Sequence, residues 1–179
     1  MTTTTTTPAT ATSTPSATTA ANYVPIPQRL DFDAIVPRYS RAVSHLDNAA
    51  TAELDRVGIP TALREFIRLR ASQLNGCAYC VDMHSKAARE AGETEQRVNA
   101  VAIWRDSAFF TAAERAAFDL TEAVTRLSET HVPESVVTAA LTVFSEEELG
   151  ALISLIVTIN VWNAIGVTTR CWTVSRDLD

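Results

Sequence analysis

Four residues with reactive side chains lie close together near the middle of the chain. Glu65 precedes a Cys-x-x-Cys pair, Cys77 and Cys80, and His84 follows the second cysteine by four positions. A cysteine attacks as the thiolate, and a neighbouring imidazole can take its proton. A carboxylate can orient that imidazole or exchange protons with it. These residue types predict a site in which two thiols cycle to a disulfide.

The spacing of these residues predicts that their side chains meet. Two runs of helical periodicity are separated by the turn signal Asn75-Gly76. If the two helices fold back on each other, Glu65 and His84 both lie about 14 Å from the turn, at ~1.5 Å per residue. Cys77, Cys80 and His84 occupy positions i, i+3 and i+7 of one helical face. One carboxylate, one imidazole and two thiols are therefore expected to share a small cavity.

The two cysteines are predicted to differ in reactivity. Cysteines three positions apart on a helix have Cβ atoms about 5–6 Å apart, whereas a disulfide needs about 3.5–4.5 Å. A small adjustment of the first helical turn would close that gap. Cys77 lies nearer the helix N-terminus, where unpaired N–H groups and the helix dipole favour an anion. We expect it to be the more exposed thiol and the one that forms a thiolate more easily.

Three segments resemble the AhpD-like branch of the carboxymuconolactone decarboxylase superfamily. They are Leu63–Glu65, Ser72–Cys80 and His84–Ala87, and the likeness extends from about residue 30 to residue 171. The resemblance implies an AhpD-like all-α helical bundle that forms a homo-oligomer, a trimer or a hexamer. It also implies a thiol-dependent antioxidant peroxidase, an oxidoreductase of the alkyl hydroperoxide reductase type.

The resemblance assigns a role to each reactive residue. In that family the second cysteine reacts with hydroperoxide and the first resolves it into a disulfide, so Cys80 is peroxidatic and Cys77 resolving. His84 and Glu65 correspond to the proton relay. Tyr79 stands where well-studied members have a second histidine, and a phenol does not titrate near neutral pH, which implies weaker peroxidase activity. No cofactor or metal is implied, because an external thiol or a dihydrolipoyl protein supplies the electrons.

The whole chain is predicted to contain one all-α domain over residues 23–179. Its 179 residues are 46% hydrophobic, which is enough for one sizeable core. No strand pattern competes with the helical periodicity. Capping boxes at Thr111–Glu114 and Ser145–Glu148 indicate helix starts. A helix over Thr94–Ile103 is expected to pack Ile103 into the core.

Composition also limits location and partners. Residues 1–22 contain Thr, Ala, Ser and Pro without charge, which predicts a disordered tail and no signal peptide. Three cysteines do not make a disulfide framework, so a reducing compartment, the cytoplasm, is expected. The net charge of −6 is spread along the chain and indicates no nucleic-acid surface.

One stretch is long enough to span a bilayer. No charged residue occurs between Leu149 and Thr169. Asn160 and Asn163 interrupt this stretch, and asparagine in lipid would need polar partners. We predict a helix buried in the core or at a subunit interface, with no membrane contact and with homo-oligomerisation.

Other functions stay open on the sequence alone. The same thiols would serve a general disulfide oxidoreductase. Cys77, Cys80 and His84 are also zinc ligand types, with Glu65 as a fourth. A carboxymuconolactone-decarboxylase-type reaction is disfavoured, because family members with that chemistry generally lack the thiol pair. The last alternative is a non-enzymatic helical module in which the Cys-x-x-Cys pair is inert.

Overall fold

The structure, a computed structural model, describes residues 24–174, and all of the regular secondary structure in that range is helical. The helices are α1 (Phe32–Ile35), α2 (Pro37–Arg56), α3 (Thr61–Asn75), α4 (Ala78–Glu90), α5 (Glu95–Ala100), α6 (Ala112–Thr125), α7 (Leu127–Thr130), α8 (Glu134–Leu141) and α9 (Glu146–Thr169), with a 3₁₀ segment at Val101–Asp106. No strand occurs among the described residues, so the predicted all-α class is confirmed. The tail predicted for residues 1–22 lies outside the described part of the chain.

The predicted hairpin is formed by α3 and α4. α3 ends at Gly76, whose φ of 69° lies in the left-handed region that glycine adopts without strain. Cys77 follows directly in an extended conformation and is the N-cap residue of α4. Because so few residues separate the two helices, α4 folds back along α3.

Helix α9 is the central element, and its position explains its lack of charge. It packs against α2, α3 and α6, and Leu152 and Leu155 are fully buried. Among the described residues, α9 alone is long and apolar enough to cross a membrane, but burial against three helices accounts for the same composition. Ile153, Val157 and Val167 remain exposed, and the predicted homo-oligomer stays a prediction.

Helix α3 is held by apolar clusters on two sides. Ile67 packs in a cluster with Leu120 and Leu155. Phe66, the next residue to Glu65, packs in a second cluster with Phe118 and Trp104. Both Phe66 and Ile67 are fully buried. The backbone that carries Glu65 is therefore fixed by packing on either side of it.

The helix predicted over Thr94–Ile103 ends earlier than expected. α5 stops at Ala100, and a 3₁₀ segment follows in which Ile103 has a non-helical φ of −123° and is 66% exposed. The predicted burial of Ile103 is therefore wrong. The tighter 3₁₀ turn changes which residues face inward. Trp104 takes the buried position, and its indole N–H donates to Glu122 at 2.7 Å.

Both predicted capping boxes are present. The one at the start of α9 is expected to contribute to the free energy of unfolding. The Ser145 hydroxyl accepts from the Glu148 N–H at 3.2 Å, and the Glu148 carboxylate accepts from the Ser145 N–H at 2.8 Å. Ser145→Ala is expected to lower the free energy of unfolding by about 1 kcal/mol, measured by urea denaturation. Ser135→Ala, at an exposed position in α8, is the matched control and should change it by less than about 0.5 kcal/mol. Equal losses in both variants would contradict a capping role.

Candidate active site

Glu65 and His84 meet across the hairpin, as their spacing predicts. Oε2 of Glu65 lies 2.8 Å from Nδ1 of His84, and both side chains are buried. A carboxylate only accepts, so this hydrogen bond keeps the hydrogen of a neutral imidazole on Nδ1. Nε2 is also buried, and no residue in the described part of the chain hydrogen-bonds to it. Nε2 is therefore the nitrogen that can accept a proton.

Arg68 is a second partner of Glu65. Its Nη1 lies 2.6 Å from Oε1 of Glu65, and its Nη2 lies 3.4 Å from a carboxylate oxygen of Asp47. Burial raises the pKa of Glu65, but the hydrogen bond from His84 and the charge of Arg68 outweigh it, so the pKa lies below its ordinary value. Glu65 is therefore ionised at neutral pH. Arg68 was not predicted as a site residue, although its position three residues after Glu65 on a helix was the available signal.

The two thiols lie in contact at the start of α4. The sulfur atoms of Cys77 and Cys80 are 2.7 Å apart, and the residues are 3% and 2% exposed. Both thiols are therefore buried with almost no difference in exposure, and Cys77 is not the openly exposed thiol that a helix terminus would suggest. The reason is that α9 packs against it: a Cβ atom at Gly166 would lie 3.1 Å from the Cys77 sulfur.

The two thiols differ in pKa, and Cys77, at the start of the helix, has the lower pKa, as its position predicts. A hydrogen bond from the Cys80 thiol lowers the pKa of Cys77 to about 7, against burial and with help from backbone N–H groups and Asn163. The hydrogen bond to Cys77, together with burial and the charge of the Cys77 thiolate, raises the pKa of Cys80 well above its ordinary value. Near neutral pH the pair therefore shares one proton, with the negative charge on Cys77.

Asn163 and Asn160 connect the hairpin turn to α9. The fully buried Asn163 donates to the Ser72 hydroxyl at 3.0 Å and accepts from the Asn75 amide at 2.9 Å. Asn75 also donates to Asn160 at 2.8 Å. These bonds hold the turn that precedes Cys77 against the central helix. Sequence analysis noted the asparagines only as interruptions of an apolar run, although buried amides require partners.

Cys80 and His84 line one cavity of about 580 Å³. Glu65 also lines it, and Tyr79, Trp162 and Trp172 form an aromatic part of its wall. The rings of Tyr79 and Trp172 pack with centroids 5.7 Å apart. Cys77 does not line this cavity. The structure therefore brings together the four predicted residues but exposes only the second thiol to the space beside the imidazole.

The zinc alternative receives no support from the geometry. Glu65 would have to be the fourth ligand, but both of its oxygens are engaged by His84 and Arg68. Over residues 24–174, no group of three or more His, Cys, Asp or Glu side chains is arranged to hold a metal ion.

Sequence comparison identifies the family. The model of the carboxymuconolactone decarboxylase family matches residues 37–123, which include the whole hairpin. The uncharacterised protein YdfG of Bacillus subtilis is 33% identical over 140 residues, which are 78% of this chain and 92% of YdfG. The chain belongs to the carboxymuconolactone decarboxylase family and to its AhpD-like branch.

Structural comparison agrees with this assignment. ATU0492 from Agrobacterium tumefaciens, a protein of unknown function proposed to be the antioxidant defence protein AhpD, matches with a TM-score of 0.78 and 35% identity, over 84% of this chain and all of that one. The debrominase Bmp8 matches with a TM-score of 0.68 and 23% identity, over 79% of this chain and 74% of that one. At that identity, Bmp8 shows a shared fold and no more.

The lowered pKa of Cys77 predicts one thiolate per chain near neutral pH. Because the group deprotonates above its lowered pKa, the ultraviolet absorbance of the thiolate should rise as pH passes through about 7. The raised pKa values of Cys80 and Cys171 keep these thiols out of that step. Cys77→Ser should abolish the step, and Cys171→Ser should leave it unchanged. A wild-type midpoint near the ordinary thiol pKa, about 8.5, would contradict the shift.

Proposed function

We propose that this protein is a thiol-dependent peroxidase that reduces hydroperoxides with its Cys-x-x-Cys pair. The observation that supports it best is one site that holds two thiols in contact beside a Glu65–His84 pair. This site combines a nucleophile, a proton acceptor and a group that orients the acceptor. Membership of the AhpD-like branch agrees with an antioxidant function.

The first chemical step takes place in the cavity lined by Cys80 and His84. Nε2 of His84 takes the proton of the Cys80 thiol, and Glu65 stabilises the imidazolium that forms. The Cys80 sulfur attacks the terminal oxygen of the hydroperoxide, and the O–O bond breaks. His84 returns its proton to the departing alkoxide. The products are a Cys80 sulfenic acid and an alcohol.

The second step forms the disulfide. The Cys77 thiolate, favoured by its lowered pKa, attacks the sulfur of the Cys80 sulfenic acid. Hydroxide leaves and takes up a proton to become water. Two electrons have then passed from the two thiols to the peroxide. The low pKa of Cys77 and the peroxidatic role of Cys80 are therefore compatible, since the first property serves resolution.

The cycle needs an external reductant. We propose a dithiol or a dihydrolipoyl protein, which reduces the disulfide by thiol–disulfide exchange without a resident cofactor or metal. Because a free thiol pair persists in a reducing compartment, we also propose that the protein acts in the cytoplasm. The trimer or hexamer implied by the resemblance belongs to the same proposal.

Tyr79 contributes a phenol to the cavity wall in place of an imidazole.

Reductive debromination is a second candidate, favoured by the aromatic wall of the cavity. Bmp8 is a debrominase, and a variant of it with one cysteine replaced by alanine has been crystallised with 2,3,4-tribromopyrrole. Tyr79, Trp162 and Trp172 offer ring faces to a flat substrate of that kind. In that reaction the thiol pair would supply two electrons and two protons: the C–Br bond is replaced by a C–H bond, bromide leaves with the second proton, and the two sulfurs form a disulfide. Bromide release from tribromopyrrole at a rate above that of hydroperoxide turnover would favour this function.

The proposal predicts that hydroperoxide consumes two thiols. Reduced protein mixed with hydrogen peroxide or an organic hydroperoxide in a stopped-flow instrument should lose two thiols per chain. The Cys171→Ser variant should lose the same two thiols, because Cys171 takes no part in the reaction with hydroperoxide. Protein that retains its thiols with both peroxides, yet exchanges with a small disulfide, would instead be a general disulfide oxidoreductase.

Single substitutions should separate the two cysteine roles. Cys77→Ser is expected to accumulate a sulfenic acid at Cys80, detected by dimedone labelling and mass spectrometry, whereas Cys80→Ser should form none. Glu65→Gln should slow oxidation by about a hundredfold, because the imidazole loses its orienting carboxylate. A sulfenic acid found only in Cys80→Ser would reverse the assignment.

A further inference from the structure

The two cysteines line different cavities. Cys80 lines the cavity beside His84, whereas Cys77 lines a second cavity of about 600 Å³ that does not include Cys80. Tyr79 and Trp172 line both cavities and form the wall between them. The disulfide that these cysteines form would therefore lie between the two cavities, with one cysteine in the lining of each.

The charges in the two cavities have opposite signs. Within residues 24–174, the charged residues that line the second cavity are Arg29 and Arg170, and no acidic residue of that part of the chain lines it. The cavity beside His84 is lined by Asp33, Asp47 and Glu65, with Arg68. An attacking thiolate is an anion, so the field in the second cavity attracts it and the carboxylates in the first repel it.

The second cavity also has a largely apolar lining. Ile26, Val167 and Val174 contribute aliphatic side chains, and Trp172 contributes a ring. Such a lining favours an alkyl chain over a highly polar ligand. Gly166 lies directly beside the sulfur, and a Cβ atom there would be 3.1 Å from the Cys77 Sγ and 3.2 Å from the Trp172 ring. Gly166 and Cys77 both line this cavity, so a side chain added at position 166 would take up space directly beside the sulfur.

We propose that the second cavity is the binding site for the reductant, a small alkyl dithiol that attacks as its thiolate. This inference rests on the proposed disulfide cycle and extends it. The thiolate attacks the Cys77 sulfur, the bond between Cys77 and Cys80 breaks, and Cys80 leaves as a thiolate beside His84. The second thiol of the reductant then gives its proton to the Cys80 thiolate, attacks the reductant sulfur that is bonded to Cys77, and releases Cys77 as a thiolate. The protein gains two electrons and the reductant becomes a disulfide.

This arrangement separates the oxidant from the reductant. A hydroperoxide enters on the side of Cys80 and His84, and the dithiol enters on the side of Cys77. The two therefore do not compete for one binding site. The sulfur attacked by the reductant is also the one whose thiolate is the better leaving group in the final step, because its pKa is the lower of the pair.

Gly166→Ala tests the site directly. Wild type and variant are first oxidised with diamide, which forms the disulfide without hydroperoxide, and reduction by dithiothreitol is then followed by stopped flow. The added methyl group should slow reduction on the order of tenfold, because it obstructs approach to the Cys77 sulfur. Oxidation of the reduced variant by hydrogen peroxide should proceed at the wild-type rate.

Gly150→Ala is the matched control. Gly150 lies on the same helix at an exposed position where a Cβ atom would meet nothing within 4 Å. Both half-reactions should be unchanged in this variant. Thermal unfolding of the oxidised proteins checks that Gly166→Ala remains folded. Reduction of Gly166→Ala at the wild-type rate would overturn the proposal, as would equal slowing of oxidation and reduction.

The charge of the site is tested with thiols of different charge. After correction for thiolate concentration, anionic 2-mercaptoethanesulfonate should reduce the diamide-oxidised protein faster than cationic cysteamine. Arg170→Gln should decrease that ratio about fivefold, whereas Arg38→Gln, at an exposed position outside both cavities, should leave it unchanged. Equal ratios in wild type and Arg170→Gln would contradict the assignment. Because diamide replaces the hydroperoxide, these results do not depend on whether the protein is a peroxidase.

Discussion

The hydrogen bond between Glu65 and His84 joins the two arms of the hairpin, and the chemistry of the site depends on it. The carboxylate fixes the hydrogen on Nδ1 and leaves Nε2, which has no hydrogen-bond partner among the described residues, as an acceptor. Arg68 keeps the carboxylate ionised despite its burial. The apolar packing of Phe66 and Ile67 holds the backbone of α3 in the position this bond requires.

The site separates thiolate formation from access to the substrate. Cys77 carries the negative charge because the start of α4 and the Cys80 thiol stabilise it. Cys80 lines the same cavity as His84, although its own pKa is raised. In the proposed cycle these differences are complementary, since one sulfur attacks peroxide with the help of His84 and the other resolves the product as a preformed thiolate. The two cavities extend this division to the two substrates of the cycle.

Local sequence patterns predict the hairpin well and its surroundings poorly. Asn75-Gly76 and the equal distances of Glu65 and His84 from the turn were sufficient to predict the contact between them. The burial of Cys77 could not be predicted, because it depends on the packing of α9 against the hairpin near Gly166, which lies far away in the sequence. The same holds for the bonds that Asn163 makes to the hairpin turn. Ile103 was misplaced because helical periodicity does not reveal a change to 3₁₀ geometry.

The protonation of His84 is the most direct test of this account. Nitrogen chemical shifts of the imidazole in the reduced protein, measured by NMR, distinguish the two neutral tautomers. The account predicts a hydrogen on Nδ1, an unprotonated Nε2, and a loss of this preference in Glu65→Gln. A neutral imidazole that carries its hydrogen on Nε2, or a tautomer that Glu65→Gln leaves unchanged, would contradict it.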